Sequence, residues 1–129
     1  MQESKIMEKI LIVEDDADLV ETYTDLLETH HHSVTSAPKA LDAIKLVTRF
    51  KPSIVLLDLN LAGHSGIVVI DLIRGYIPLR NTKIVVITGH PELLQNNKQA
   101  ARVDLILSKP VTNEQLLKTI QQFSTVVQV

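Results

Sequence analysis

Four short apolar runs punctuate the chain: Ile10–Val13, Ile54–Leu57, Ile84–Ile87 and Leu105–Leu107. Each is rich in β-branched side chains and shows no polar alternation. That predicts strands covered on both faces, as in a parallel sheet flanked by helices. A fifth candidate, Ser33–Ala37, is more polar, as an edge strand would be. Between the runs the apolar spacing turns helical. Leu19, Tyr23, Leu26 and Leu27 follow Asp16, a candidate N-cap. Leu41, Ile44 and Val47 mark a second helix from about Lys39 to Phe50, and Ile67, Ile70 and Ile73 a third between Gly66 and Gly75. A shorter fourth begins near Pro91 with Leu93 and Leu94. The fifth opens on a capping-box pair, Thr112 and Gln115, followed by Leu116, Leu117, Ile120 and Phe123. The tail from Ser124 to Val129 either extends this helix or begins a linker. A β-α order repeated five times predicts right-handed crossovers and a doubly wound α/β fold with a five-stranded parallel sheet.

Composition narrows the class. With 129 residues, 45% of them apolar, the chain suits one domain, with a core from about residue 8 to 123. A chain of this length buries roughly two thirds of its unfolded surface and needs no staples. It has no cysteine, which excludes disulfides, thiolate metal sites and cysteine nucleophiles. Thirteen Lys and Arg against 15 Asp and Glu leave a net charge of -2, without the basic surplus of a nucleic-acid binder. Two Tyr, two Phe and no Trp offer little for base stacking. No apolar stretch approaches the ~20 residues that cross a bilayer, and Met1–Glu8 is too polar for a signal peptide. The expectation is a cytoplasmic protein that binds neither membrane nor nucleic acid.

In open α/β sheets, functional groups gather at the carboxyl ends of the strands. Glu14, Asp15 and Asp16 follow the first run; Asp58, Leu59 and Asn60 the second; Thr88, Gly89 and His90 the third; Ser108, Lys109 and Pro110 the last. Singly, each has an ordinary reading: acids cap helices, Thr-Gly makes a turn, Lys-Pro makes a bend. Four strand ends supplying acids, a hydroxyl and an ammonium together are much harder to dismiss. If Glu14, Asp15 and Asp58 converge to ~5 Å, each pair repels by about 3 kcal/mol at an effective dielectric of ~20. Lys109 offsets only part of that repulsion. Such a cluster calls for a cation or for protons, and an all-oxygen donor set suits Mg²⁺.

Taken in order, Val13-Glu14-Asp15-Asp16, Leu56-Leu57-Asp58-Leu59-Asn60, Val86-Ile87-Thr88-Gly89 and Ser108-Lys109-Pro110 resemble the receiver domain of two-component response regulators. The likeness runs from about Glu8 to Phe123. It implies a flavodoxin-like strand order, 2-1-3-4-5, with helices on both faces. Asp58 is then the phosphoacceptor, taking a phosphoryl group from the phosphohistidine of a histidine kinase or histidine phosphotransfer protein. Asp15 ligates Mg²⁺ directly, Glu14 assists through water, Asp58 is a further ligand and Asn60 contributes its backbone carbonyl. Lys109 pairs with Asp58 and then with a phosphoryl oxygen, Thr88 donates its hydroxyl to the phosphoryl group, and Gly89 leaves the acceptor accessible. Such a protein helps catalyse its own modification and turns over no external substrate. The likeness also admits a homodimer through the fourth helix, fifth strand and fifth helix.

Two departures stand out. Receivers usually carry Tyr or Phe three residues before the lysine, where this chain has Ile106, stiff at χ1 and without a ring. Output is then expected to use the Thr88 loop and the fourth helix, or to be weak. The loop Leu61-Ala62-Gly63-His64-Ser65-Gly66 has Ala62 where proline is common, which loosens the turn. His90 either lines the pocket mouth and tunes hydrolysis or is a solvated loop residue. His30, His31 and His32 cannot all face one ion from a regular helix. The runner-up function is a non-phosphorylated interaction module, supported by Ile106. An aspartyl-phosphate phosphatase lacks its second acid, since Asn60 stands there. No output segment follows, which suggests a receiver acting alone or a piece of a longer chain.

Overall fold

The computed structural model describes residues 3–5, 7–61, 64–95, 98–124 and 126–128. In chain order the elements are β1 (Glu3–Lys5), β2 (Lys9–Val13), α1 (Ala17–Thr29), β3 (Ser33–Ala37), α2 (Ala40–Phe50) and β4 (Ile54–Leu57). A short hairpin, β5 (Asn60–Leu61) and β6 (His64–Ser65), precedes α3 (Ile67–Gly75) and a 3-10 turn, Ile77–Leu79. Then come β7 (Lys83–Thr88), α4 (Glu92–Gln95), a 3-10 segment (Lys98–Arg102), β8 (Leu105–Ser108), α5 (Asn113–Phe123) and β9 (Val126–Gln128).

The central sheet is parallel, with the order β3-β2-β4-β7-β8. Counting only its own five strands, that is second, first, third, fourth, fifth, as the family resemblance implies. Ser33–Ala37 forms one edge, as its polarity suggests. Leu105–Leu107 does not behave as a strand covered on both faces: β8 is the opposite edge and its apolar residues are only half-buried. Alternate strand residues feed two cores. Leu11, Val13, Val55, Leu57, Ile84 and Val86 pack with α2 and α3, while Ile10, Ile12, Ile54, Leu56, Val85 and Ile87 pack with Tyr23 and Leu27 of α1 and Leu116 and Ile120 of α5.

The helix ends follow their capping chemistry. Asp16 accepts the N–H groups of Asp18 and Leu19 to start α1, and Thr112 with Gln115 closes a full capping box on α5, worth about 1 kcal/mol. The second helix forms where expected with its inward face slightly rolled. Of the expected stripe Val47 is buried and Ile44 half-buried, but Leu41 is 63% exposed, and Ala40 and Ala43 are buried beside Val47. Small residues there let α2 lie close on the sheet. The fourth helix, Glu92–Gln95, is a single turn with Leu94 buried and Leu93 exposed, and the 3-10 segment begins at Lys98. After α5 the chain leaves the helix at Ser124, and β9 pairs antiparallel with β1, so the tail does not prolong the helix. Ala62 and Gly63, at the turn expected to be loosened, lie outside the described residues.

Polar ties hold the β7–β8 crossover. The Arg74 guanidinium donates to the carbonyls of Arg102 (2.7 Å) and Thr82 (2.8 Å) and to Asp104 Oδ2 (3.0 Å), which also accepts the Ile84 N–H. Gln99 and Arg102 both donate to Asp71 on α3, and these bonds hold its carboxyl below the usual range. The three histidines take separate parts. His30 caps α1 with Nδ1 on the Leu26 carbonyl, His31 takes a left-handed backbone (φ 69), and His32 Nδ1 accepts the Glu8 N–H.

Candidate functional site

Because neighbouring parallel strands run in register, they deliver their last residues to one edge. Val13 pairs with Leu57, Leu57 with Val86, and Thr88 with Ser108. The next residues, Glu14, Asp58 and Lys109, therefore emerge side by side, with Thr88 ending β7. Backbone bonds fix the turn-outs: Asp58 N–H to the Val13 carbonyl (2.9 Å), Lys109 N–H to the Thr88 carbonyl (2.8 Å), and Glu14 N–H to the Ala37 carbonyl (3.1 Å). The Lys109–Pro110 peptide bond is cis.

Together with Asp15, Asp16, Asn60, Gly89 and His90 these residues line an open cleft of about 370 Å³. Carboxylate oxygens of Glu14, Asp15 and Asp58 lie within 4.8 Å of one another. Glu14 and Asp58 are buried, at 4% and 7% exposure, while Asp15 faces the solvent. At that spacing three charges repel by the amount expected from the sequence, about 3 kcal/mol per pair. Lys109 answers two of them: its Nζ lies 2.5 Å from Glu14 Oε1 and 3.2 Å from Asp58 Oδ2. The expected pairing with Asp58 is present, yet the shorter contact is to Glu14, whose extra methylene carries its carboxylate to the ammonium. The donor set itself, three clustered hard oxygens with solvent access, fits a small divalent cation.

The charges shift each other's titration. Burial pushes Glu14 upward, against the hydrogen bonds from Lys109 and from the Asp16 N–H, and the Asp58 charge pushes the same way. Burial alone would lower Lys109, but its bond to Glu14 and the charges of Glu14 and Asp58 outweigh burial and hold the ammonium above its ordinary value.

The remaining expected residues have definite places. Asp58 Oδ1 accepts the Asn60 N–H (3.2 Å), which leaves Oδ2 toward Lys109. Thr88 is fully buried, and its Oγ1 accepts the His90 N–H (3.0 Å). His90 lines the cleft, with Nδ1 3.2 Å from Glu92 Oε1. Gly89 is not forced by packing, since a Cβ there would meet no atom within 4 Å. Ile106 is half-buried against the core beneath α2 and α3.

One residue that shapes the site was not singled out from sequence. A Cβ on Gly66 would stand 2.5 Å from the Asp58 carbonyl oxygen and 3.2 Å from Leu59 Cα. The Gly66 N–H also donates to the Leu59 carbonyl at 2.8 Å. The loop after Asp58 thus folds back onto the acid's own backbone, an approach only glycine permits. Its one signal in sequence is a glycine just before a strongly apolar helix.

Comparison with known proteins agrees with this geometry. The response regulator receiver domain family matches residues 10–121. The chain is 31% identical to the protein PilH of Pseudomonas aeruginosa, over 88% of this chain and 95% of that one. Among solved structures, the chemotaxis response regulator CheY4 of Vibrio cholerae superposes with a TM-score of 0.82 at 25% identity, covering 92% of this chain and 99% of that one. The receiver domain of a sensor histidine kinase from Pseudomonas aeruginosa, determined with magnesium ion coordinated in the active site cleft, gives 0.78 at 22% identity over 92% and 98%. With buried acids, a lysine and a threonine at the carboxyl edge of a 2-1-3-4-5 sheet, this chain belongs to the response regulator receiver domain family.

Proposed function

We propose that the chain is a cytoplasmic phosphoacceptor that takes a phosphoryl group onto Asp58 from the phosphohistidine of a kinase or phosphotransfer partner and signals through a change of conformation. The observation that carries this reading is the meeting of Glu14, Asp15 and Asp58 within 4.8 Å, with Lys109 bonded to two of them. In the transfer, an Asp58 carboxylate oxygen attacks phosphorus. A P–O bond forms as the P–N bond of the donor breaks, and its electron pair stays on the departing imidazole. Phosphoryl transfer is mostly positioning and neutralisation of oxygen charge. Glu14, Asp15, Asp58 and the Asn60 carbonyl would hold Mg²⁺, which supplies that neutralisation when bound; the similar histidine kinase receiver carries magnesium in its cleft.

Lys109 stands ready to follow the charge, moving from its carboxylate partners to a phosphoryl oxygen. The Asn60 N–H at Oδ1 and the Lys109 ammonium at Oδ2 hold the Asp58 carboxylate in place for attack. Thr88, buried at the cleft wall, gives up its bond from the His90 N–H when its hydroxyl turns to the phosphoryl group. That movement pulls on the short α4. With Ile106 in place of an aromatic ring, the Thr88–Leu94 segment is the route of output.

The alternative is an interaction module that keeps the fold without being phosphorylated, and Ile106 is the residue that favours it. Incubation with Mg²⁺ and acetyl phosphate separates the two. The phosphoacceptor reading expects the mass of one phosphoryl group, absent from Asp58→Asn. A chain that stays unmodified with this donor and with a competent kinase is the interaction module.

A further inference from the structure

Beside the phosphorylation cleft lies a second concavity of about 460 Å³, between α1 and the end of β3. It shares Glu14 and Asp15 with the cleft and continues along the flank of the helix. Ala17, Val20 and Pro38 give it an apolar lining, and Glu21 and Asp25 add carboxylates. Both of these acids are exposed, and neither makes an ion pair among the described residues. The charge is lopsided here. From Ile10 to Pro38 there is no Lys or Arg, while seven of the chain's 15 acids (Glu14, Asp15, Asp16, Asp18, Glu21, Asp25 and Glu28) fall in that stretch.

The strand that borders the groove is also open. β3 ends the sheet, and among the described residues no strand pairs with its outer side. Its sequence, Ser33-Val34-Thr35-Ser36-Ala37, carries no charge and no proline, the usual devices against pairing at an exposed edge. An unprotected edge supplies backbone hydrogen bonds, and a groove on one face of that edge supplies side-chain selection.

We propose that this edge and groove take an extended segment of a partner protein, laid along β3 as an added strand. Its apolar side chains enter the groove at every second position, and Lys or Arg reach Glu21 and Asp25 at the margin. The spacing follows from strand geometry, which sends alternate side chains to the α1 face. The basic character follows from Glu21 and Asp25, both exposed and without an ion pair among the described residues, and long basic stems cover apolar surface while their heads stay in water.

The test uses the full chain and a fluorescein-labelled nine-residue peptide with Val at every second position and Lys or Thr between, followed by anisotropy at low salt. Binding is expected to weaken at least roughly tenfold for the double variant Glu21→Lys, Asp25→Lys, since reversed charges at the margin oppose the peptide. The same peptide N-methylated at alternate residues is expected to lose at least as much, because it cannot donate to β3, and the parent peptide is expected to slow amide exchange at Val34–Ser36. The peptide variant leaves the protein untouched, so the outcome does not depend on the double variant folding. An N-methylated peptide that binds as well as the parent reduces the surface to ionic attraction and overturns the proposal, as does an unchanged affinity in the double variant or no binding of the parent peptide.

Discussion

Asp15→Asn removes one charge from the acid cluster while keeping its shape. Asp15 takes part in two of the three carboxylate pairs that lie within 4.8 Å. Removing both repulsions is worth up to about 6 kcal/mol at an effective dielectric of ~20. Asp15 is exposed, so water and salt screen most of that, and the expected gain in stability is about 1–2 kcal/mol. The gain belongs to the cation-free protein alone. A ligand that binds only the folded state adds RT ln(1 + [L]/Kd), which for a Kd of ~1 mM and 10 mM Mg²⁺ is about 1.4 kcal/mol. The native chain should gain that increment and the variant should lose nearly all of it. Urea unfolding of both proteins with and without Mg²⁺ gives the four midpoints required. The reasoning fails if the variant is less stable than the native chain without Mg²⁺, or if Mg²⁺ stabilises both equally.

Four further expectations concern residues around the site and in the β7–β8 crossover. Gly66→Ala puts a methyl group 2.5 Å from the Asp58 carbonyl oxygen, so the loop must shift, and urea unfolding should show a loss of about 2–3 kcal/mol together with slower phosphorylation. Gly89→Ala, placed in open space, should cost little stability by the same measurement. The raised Glu14 gives a pH signature with a definite sign. Between the ordinary carboxylate range and its raised value the folded chain holds more protons than the unfolded one, so stability without Mg²⁺ falls as pH rises. Native protein should therefore lose stability relative to Glu14→Gln over that window, and Mg²⁺ affinity by calorimetry should rise across it as the proton leaves. Arg74→Met leaves two backbone carbonyls without a donor and Asp104 without its cation, for an expected loss of about 3 kcal/mol in urea unfolding.

Much of this was legible in the sequence for a simple reason. A strand buried on both faces must be apolar throughout, so Ile10–Val13, Ile54–Leu57 and Ile84–Ile87 announced themselves, and the first polar residue after each run fell at the functional edge. Side-chain position was less legible. Leu41 fits a helical stripe, but how α2 is rolled on the sheet depends on how closely Ala40 and Ala43 approach it, which no periodicity records. The same holds for Lys109. Its nearer partner is Glu14 because the glutamate reaches further, a matter of one methylene at a distance that only the folded backbone sets. Gly66 and Arg74 were hidden because their contacts are tertiary: one presses on the backbone eight residues earlier, and the other ties α3 to the Thr82 carbonyl just before β7 and the Arg102 carbonyl before β8.

The central claim is that Asp58 is where a phosphoryl group is received, and a crystal structure grown with Mg²⁺ and beryllofluoride tests it most directly. The expected density is a beryllofluoride on an Asp58 carboxylate oxygen, with Lys109 Nζ turned from Glu14 toward it, the Thr88 hydroxyl at a fluorine and Mg²⁺ held by Asp15. A cleft left empty by reagents that modify other receivers, or an adduct on any other side chain, would contradict it.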